Sequence, residues 1–288
     1  MSRIAYVNGE YAAHASAAVH IEDRGYQFAD GVYEVCEVWQ GHLVDGPRHL
    51  DRLERSLREL RIAMPMSRRA LTFVIKEVIR RNRVHHGLVY MQVTRGVARR
   101  AHFFPLDDVP PSIVITSKST NPRAGDKQAE TGIAVVSHPE NRWPRVDIKT
   151  VGLLPNVLAK QYAREQGGKE AWYVDANGYV TEGGSTNAWI VTKDGVLVTR
   201  PAESGILKGI TRSVVLDLVE REGIRFEERA FTLEEAFEAR EAFVTAASTL
   251  VMPVVQLDGR PIGNGHPGSV ATGLRQAFHT ASHLEEIR

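Results

Sequence analysis

Val146-Asp147-Ile148-Lys149-Thr150-Val151, followed by Thr181-Glu182-Gly183-Gly184-Ser185-Thr186-Asn187, organises the reading of this chain. The first stretch sets one amine in a short, otherwise mostly apolar, strand-like run. The second opens a glycine-rich turn with one carboxylate. An aldehyde cofactor with a basic ring nitrogen needs both groups: a lysine to form a Schiff base and an acid to keep the ring protonated. Taken singly, each has a plainer meaning. A lysine among apolar residues lays its stem on the core and sends its ammonium to water, and Glu-Gly-Gly is most often just a turn.

Outward from these stretches, the second half of the chain predicts strands at 133–137 and 146–150, a helix over about 156–166 closed by Gly167-Gly168, and a strand at 171–175. An Asn177-Gly178 hairpin, strands at 188–192 and 196–199, and a helix from near Thr211 to Gly223 follow. Strands at 241–245 and 254–257 and a helix from about Gly268 complete it. In the first half, Asn8-Gly9 signals a hairpin and Val32 to Trp39 a strand. Leu50, Leu53, Leu57 and Leu60 fall at helical spacing after Pro47. Ser67 caps a second helix striped by Leu71, Val74, Ile75, Val78 and Ile79. Strands follow at 88–94 and 112–116. The polar stretch after Lys118 has no apolar period. The expected organisation is therefore a first domain over 1–118, a linker over 119–131 and a second domain over 132–288. Strands arrive in hairpins before helices, which predicts α+β with largely antiparallel sheets in both halves.

The 288 residues, 43% apolar and 25% charged, suit a globular protein with a substantial core. A net charge of +1 gives no push toward nucleic acid or an anionic membrane. Eight lysines stand against twenty-eight arginines, so an amine-chemistry lysine has few competitors. Cys36 is the only cysteine, which suits a reducing cytoplasm. The longest mostly apolar stretch, 243–255, is too short to span a bilayer. No signal peptide is apparent.

Three further clusters carry possible chemistry. Arg52, like Arg48, Arg55 and Arg58, avoids the leucine stripe; by residue class these are solvated, and the functional alternative turns one inward to grip an anion. Gly205-Ile206-Leu207-Lys208-Gly209-Ile210-Thr211-Arg212 enters a helix, so its free amides form either a phosphate seat or an ordinary N-terminus capped by Thr211. Arg100 and His102 lie two apart, so on an extended backbone both point the same way and could clamp a carboxylate. Gly263-Asn264-Gly265-His266-Pro267-Gly268 matches G-x-G-x-x-G, but Pro267 removes an amide and too few residues follow for the ~30-residue βαβ unit. The histidines show no metal-ligand spacing, and one cysteine cannot build a thiolate site.

In order and wording, Glu22-Asp23-Arg24-Gly25-Tyr26-Gln27-Phe28-Ala29-Asp30-Gly31-Val32-Tyr33-Glu34, His49-Leu50-Asp51-Arg52-Leu53, Asp147-Ile148-Lys149, Asn156-Val157-Leu158-Ala159-Lys160, Thr181-Glu182-Gly183 and Leu207-Lys208-Gly209-Ile210-Thr211-Arg212 resemble the fold-type IV pyridoxal-phosphate enzymes. The likeness covers nearly the whole chain and is closest to the D-amino-acid aminotransferases. It implies two α/β domains joined by a linker, the second binding pyridoxal 5'-phosphate. It makes Lys149 the Schiff-base lysine and proton carrier, and Glu182 the partner of the ring nitrogen. Arg52 with the amides of Ile210 and Thr211 would hold the phosphate, and Leu207 would pack on the ring. Tyr33, Arg100 and His102 resemble the carboxylate trap of the D-specific members. Ser185 matches the family turn. Ala246 and Ala247 replace two hydroxyl residues common in the family, leaving Ser248 as the phosphate donor on that side. Branched-chain L-aminotransferases usually carry a tyrosine five residues after the lysine, where this chain has Leu154. Lys149 and Glu182 are also shared by the (R)-amine transaminases, and a non-catalytic protein could keep the fold. The resemblance implies a homodimer that exchanges an amino group between a D-amino acid and a 2-oxo acid such as 2-oxoglutarate by a ping-pong mechanism.

Overall fold

The computed structural model describes residues 3–106, 108–202 and 205–287, so the outer ends of the expected domains, Met1 and Arg288, lie outside the described residues. The chain divides into two compact units. One comprises Met1–Asn121, Ile148–Gly152 and His283–Arg288; the other Pro122–Asp147 and Leu153–Ser282.

The first unit opens with β1 (Ile4–Val7) and β2 (Glu10–Ala13), joined by Asn8-Gly9. Both turn residues have positive φ, 47° and 103°, which a two-residue hairpin with the right twist demands. Next come α1 (Arg24–Phe28), β3 (Gly31–Trp39), β4 (His42–Val44), α2 (Gly46–Glu59), α3 (Arg68–Arg81), β5 (Gly87–Thr94) and β6 (Ser112–Ser119). Ser67 caps α3 by accepting from the Ala70 amide, as expected. The leucines of α2 and the aliphatic stripe of α3 bury against Val32, Cys36, Val38, Val89, Met91 and Val93 from the sheet. Each fully buried aliphatic side chain contributes about 1.5–3 kcal/mol. Ile148 joins this core although it comes late in the chain.

The second unit contains α4 (Pro122–Thr131), β7 (Ile133–Pro139), α5 (Leu154–Glu165), β8 (Glu170–Val174), β9 (Val180–Gly183), β10 (Asn187–Val191) and β11 (Leu197–Thr199). It continues with α6 (Ile210–Arg221), β12 (Phe226–Glu228), α7 (Leu233–Glu238), β13 (Glu241–Ala246), β14 (Leu250–Leu257), β15 (Arg260–Pro261) and α8 (Ser269–Ala281). Its sheet runs β12-β11-β10-β13-β14-β7-β8-β9, with β15 on β14. A last strand, β16 (Leu284–Glu286), pairs with β4, giving the first unit the order β16-β4-β3-β5-β6-β1-β2.

The class is α+β, with four departures from expectation. The first sheet is antiparallel throughout, but the second is mixed: β7 pairs in parallel with β8 and β14, and β11 with β12. The β7–α5–β8 path is a crossover, which hairpin signals cannot disclose. Second, much of the expected linker over 119–131 is helix α4. Its interior buries only Ala129, so no apolar stripe marks it. Third, 146–150 is not a strand. Pro144 lacks a donor, Arg145 folds back on Asp147 at 2.9 Å, and only Thr150 forms a bridge, to Val32. Fourth, α6 is capped by Gly209 rather than Thr211. No helix among the described residues is long and apolar enough to cross a membrane.

Candidate active site

Within the first unit, the backbone around Lys149 is pinned to the start of β3. Tyr33 donates its amide to Lys149 O at 3.0 Å, and Val151 donates to Gly31 O at 3.1 Å. A Cβ on Gly31 would come within 2.8 Å of Val93 O, so only glycine lets β5 approach here. With Ile148 buried on one side, Lys149 Nζ lies 4.2 Å from the centroid of the Tyr33 ring. Tyr33 in turn stacks on Tyr90 at 5.6 Å. Burial and the neighbouring Tyr33 push the Tyr90 phenol up to about 12. Lys149 and Tyr33, predicted to share a site, are thus in contact.

Strand alternation sends Tyr33 to one face and Glu34 to the other, where it is fully buried. There Glu34 takes a forked contact from Arg52, Nε to Oε1 at 2.7 Å and Nη2 to Oε2 at 2.8 Å, and meets His49 Nδ1 at 2.7 Å. Burial would raise the Glu34 carboxyl, but the guanidinium and the His49 hydrogen bond hold it well below the usual range. Burial lowers His49 despite Glu34, so the imidazole is neutral at physiological pH and donates Nδ1–H. Arg52 does turn inward, and the fork to Glu34 fixes the plane of its guanidinium.

Arg100 and His102 lie in the exposed loop after β5. They meet at one ring: the Arg100 guanidinium carbon is 5.0 Å, and the His102 ring 5.6 Å, from the centroid of Phe28.

In the second unit Glu182 ends up 4% exposed on β9. Oε1 accepts from Arg142 Nη1 at 2.6 Å; Oε2 accepts from Asn187 Nδ2 at 3.0 Å and from the Leu207 amide at 3.1 Å. Burial raises this carboxyl to about 6, opposed chiefly by Arg142. Arg142 also forks onto Glu140, at 2.8 and 2.6 Å, and lies 4.2 Å over the Tyr173 ring. An ionised carboxylate has about four acceptor sites. Three are occupied here, so one remains for a ring N–H.

Asn187 donates its other amide hydrogen to Leu207 O at 2.9 Å, fixing the loop that leads into α6. That helix begins at Ile210 with no side-chain cap, leaving the amides of its first turn for an anion. Gly209 is needed there because a Cβ would strike Asn187 Oδ1. An acceptor for a basic ring nitrogen and a seat for a phosphate therefore sit at the two ends of one short loop, and these residues fit pyridoxal phosphate.

The two serines expected at the cofactor are both exposed. Ser185 is exposed and donates to Glu170 Oε2 at 2.9 Å while accepting from Lys160 at 3.2 Å. Ser248 is exposed in the β13–β14 turn. Its neighbour Thr249 carries a buried hydroxyl with no partner among the described residues. Sequence reasoning missed Arg142 and the anchoring roles of Glu34 and His49. Glu34 had a signal, since a carboxylate on the inward face of an alternating strand demands a cationic partner. Arg142 had none.

Comparison with known proteins gives concordant results. Residues 31–257 match the family described as amino-transferase class IV. The chain is 39% identical over 274 residues to a D-alanine aminotransferase of Staphylococcus haemolyticus, covering 95% of this chain and 96% of that one. It is 37% identical over 282 residues to a D-alanine aminotransferase of Listeria monocytogenes, covering 98% and 95%. Among solved structures it is similar to the Escherichia coli branched-chain amino acid aminotransferase, with TM-score 0.90, 25% identity and full coverage of both chains. A second branched-chain amino acid aminotransferase, from T.th. and solved with pyridoxamine 5'-phosphate, gives 0.88 and 26%, covering 97% and 93%.

Proposed function

The chain belongs to the amino-transferase class IV family, and on that premise we propose that it transfers an amino group from a D-amino acid such as D-alanine to a 2-oxo acid such as 2-oxoglutarate. The observation that carries the chemistry is the buried Glu182 carboxylate with three donors and one acceptor site left. Pyridoxal 5'-phosphate, when bound, supplies the electron sink for a carbanion at the substrate α-carbon. Glu182 would hold the ring nitrogen protonated. Lys149 would attach the cofactor and, once freed, take the α-proton of the substrate on Nζ. The first-turn amides of α6, at Ile210 and Thr211, would hold the phosphate with Arg52, whose plane Glu34 sets. Leu207 would lie on the ring, and Ser248 would donate on the β13–β14 side, with Ser185 supporting the turn after Glu182. Tyr33 would line the substrate space beside Lys149, and Arg100 and His102 would grip the α-carboxylate. Donor and acceptor would share one site in turn, giving ping-pong kinetics.

Identity supports the D-amino acid donor over a branched-chain L-amino acid: 39% to a D-alanine enzyme against 25% and 26% to the branched-chain structures. Leu154, which stands where the branched-chain enzymes usually have a tyrosine, is 69% exposed. Leu154, Val157, Leu158 and Tyr162 together form an exposed stripe on α5, which supports a homodimer. Cys36, buried as a free thiol, is in keeping with a cytoplasmic setting. The domain reading becomes a cofactor-binding unit formed mainly by 132–288 and a first unit that receives the Lys149 segment.

The deciding experiment is consumption of 2-oxoglutarate by the holoenzyme given D-alanine, L-leucine or (R)-1-phenylethylamine as the amino donor. D-alanine should be deaminated far faster than L-leucine. Preference for L-leucine would replace this proposal with the branched-chain reading, and preference for (R)-1-phenylethylamine with the amine-transaminase one.

A further inference from the structure

We propose that Arg24 is a positioning residue for the substrate-carboxylate clamp, fixing the backbone between Arg100 and His102. This rests on the proposal that those two side chains bind the α-carboxylate. Arg24 is a cation only 3% exposed, on the short helix α1. Its Nε donates to Asp30 Oδ2 at 2.8 Å, and its Nη1 donates to the carbonyl of Ala101 at 2.7 Å. Ala101 is the single residue between Arg100 and His102, lies in no regular element and is itself exposed. One buried guanidinium thus joins the exposed loop to the residue that precedes β3, the strand bearing Tyr33.

Other contacts make Arg24 the centre of a frame. Asp30 is gripped a second time by Arg95, with Nε at 2.7 Å and Nη2 at 3.0 Å. The Arg24 amide donates to Gly96 O at 2.9 Å, and Ala98 donates to Glu22 O at 3.3 Å, so the start of the loop is tied to the entry of α1. Phe28, at the end of α1, has the Arg24 guanidinium carbon 4.8 Å from its ring centroid, close to the 5.0 Å of Arg100 and the 5.6 Å of His102. Beyond this frame the loop is held at Arg95, which donates to Leu60 O at 2.7 Å and Arg61 O at 3.0 Å. Burying a cation costs free energy unless it is paired and hydrogen-bonded. Here the buried cation holds the carbonyl of one exposed residue. The return is a clamp whose two donors are placed before the substrate arrives, which lowers the ordering cost of binding. Because Arg95 still holds Asp30, removing the Arg24 side chain does not orphan that carboxylate.

The test uses holoenzyme carrying Arg24→Met or Arg24→Lys, with Arg100→Ala as reference, on D-alanine and on D-alaninamide, which has the amine but no carboxylate. Arg24→Met should raise KM for D-alanine roughly ten-fold, the worth of one charge-assisted hydrogen bond, while kcat stays within about two-fold. Turnover of D-alaninamide and the visible cofactor spectrum should not change. Arg24→Lys, which can reach Asp30 or Ala101 but not fork between them, should fall between wild type and Arg24→Met, and it carries the test if the methionine variant does not fold. Equal losses on both substrates, or a fall in kcat alone, would overturn the positioning role. If Arg100→Ala reduces selectivity for D-alanine and neither Arg24 variant does, the inference fails and the clamp stands. If Arg100→Ala itself leaves selectivity intact, the clamp is wrong and Arg24 falls with it.

Discussion

Replacing Arg142 with methionine should move the acid limb of the pH–rate profile upward, because Arg142 is the cation that opposes burial at Glu182. In the proposed role, Glu182 would have to be ionised to keep the ring nitrogen protonated. A carboxyl whose value stands at about 6 is ionised above that pH and lost below it. An opposite charge this close typically lowers a carboxyl by ~1–3 units, so its removal should carry Glu182 to roughly 7–9. At pH 7 the ionised share without cofactor would fall from ~90% to somewhere between ~50% and ~1%, each unit being worth about 1.4 kcal/mol, and a bound ring cation would lower both starting points alike. The loss should be recovered near pH 9 if the shift is one unit and only partly if it is three. The assay is the rate at which D-alanine bleaches the visible band of the holoenzyme, followed from pH 5.5 to 9.5. Thermal melts would confirm folding, since Glu140 also loses its forked partner. An acid limb that stays in place, or a rate loss equal at every pH, would refute the reasoning and leave Arg142 a purely structural strut.

Other outcomes follow from the same geometry. Lys149→Ala should abolish covalent cofactor attachment and turnover; borohydride reduction and peptide mapping check it, and label on Lys160 or Lys208 would contradict it. Glu182→Gln should keep the cofactor bound but slow the D-alanine half-reaction by at least ~100-fold, measured by rapid mixing, since a neutral ring is a poor electron sink. Arg100→Ala should weaken D-alanine and D-glutamate alike by roughly ten- to a hundred-fold in half-reaction titrations, the cost of a charge-assisted hydrogen bond.

Residues whose meaning is local were legible in the sequence. Ser67 announces α3, Asn8-Gly9 the first hairpin, and the leucines of α2 their own burial. Lys149 and Glu182 stood out through amine scarcity and turn chemistry, and the resemblance gave them roles. What stayed hidden depends on partners far along the chain. Arg142 sits in no periodic pattern, and its place is set by carboxylates two and forty residues away. The pairing of Glu34 with His49 and Arg52 lay within reach: an inward strand position facing two helix residues three apart. Ser185 shows the opposite limit, because matching a motif says nothing about which way a hydroxyl turns, and this one turns to Glu170.

The division of the chain bears on how it is made. The first unit draws on residues 148–152 and 283–288 as well as on its opening stretch, so the polypeptide changes unit four times. Its sheet starts at Ile4 and takes its edge strand from Leu284–Glu286, paired to β4. During vectorial synthesis that edge stays open until the second unit's sequence has left the ribosome, and the Lys149 loop cannot dock on β3 before α4 and β7 have emerged. Contacts of such long sequence separation slow folding. An exposed β4 edge would persist meanwhile, inviting mispairing between nascent chains. Slowed translation beyond residue 152 should therefore lower the yield of active enzyme more than an equal delay before residue 121.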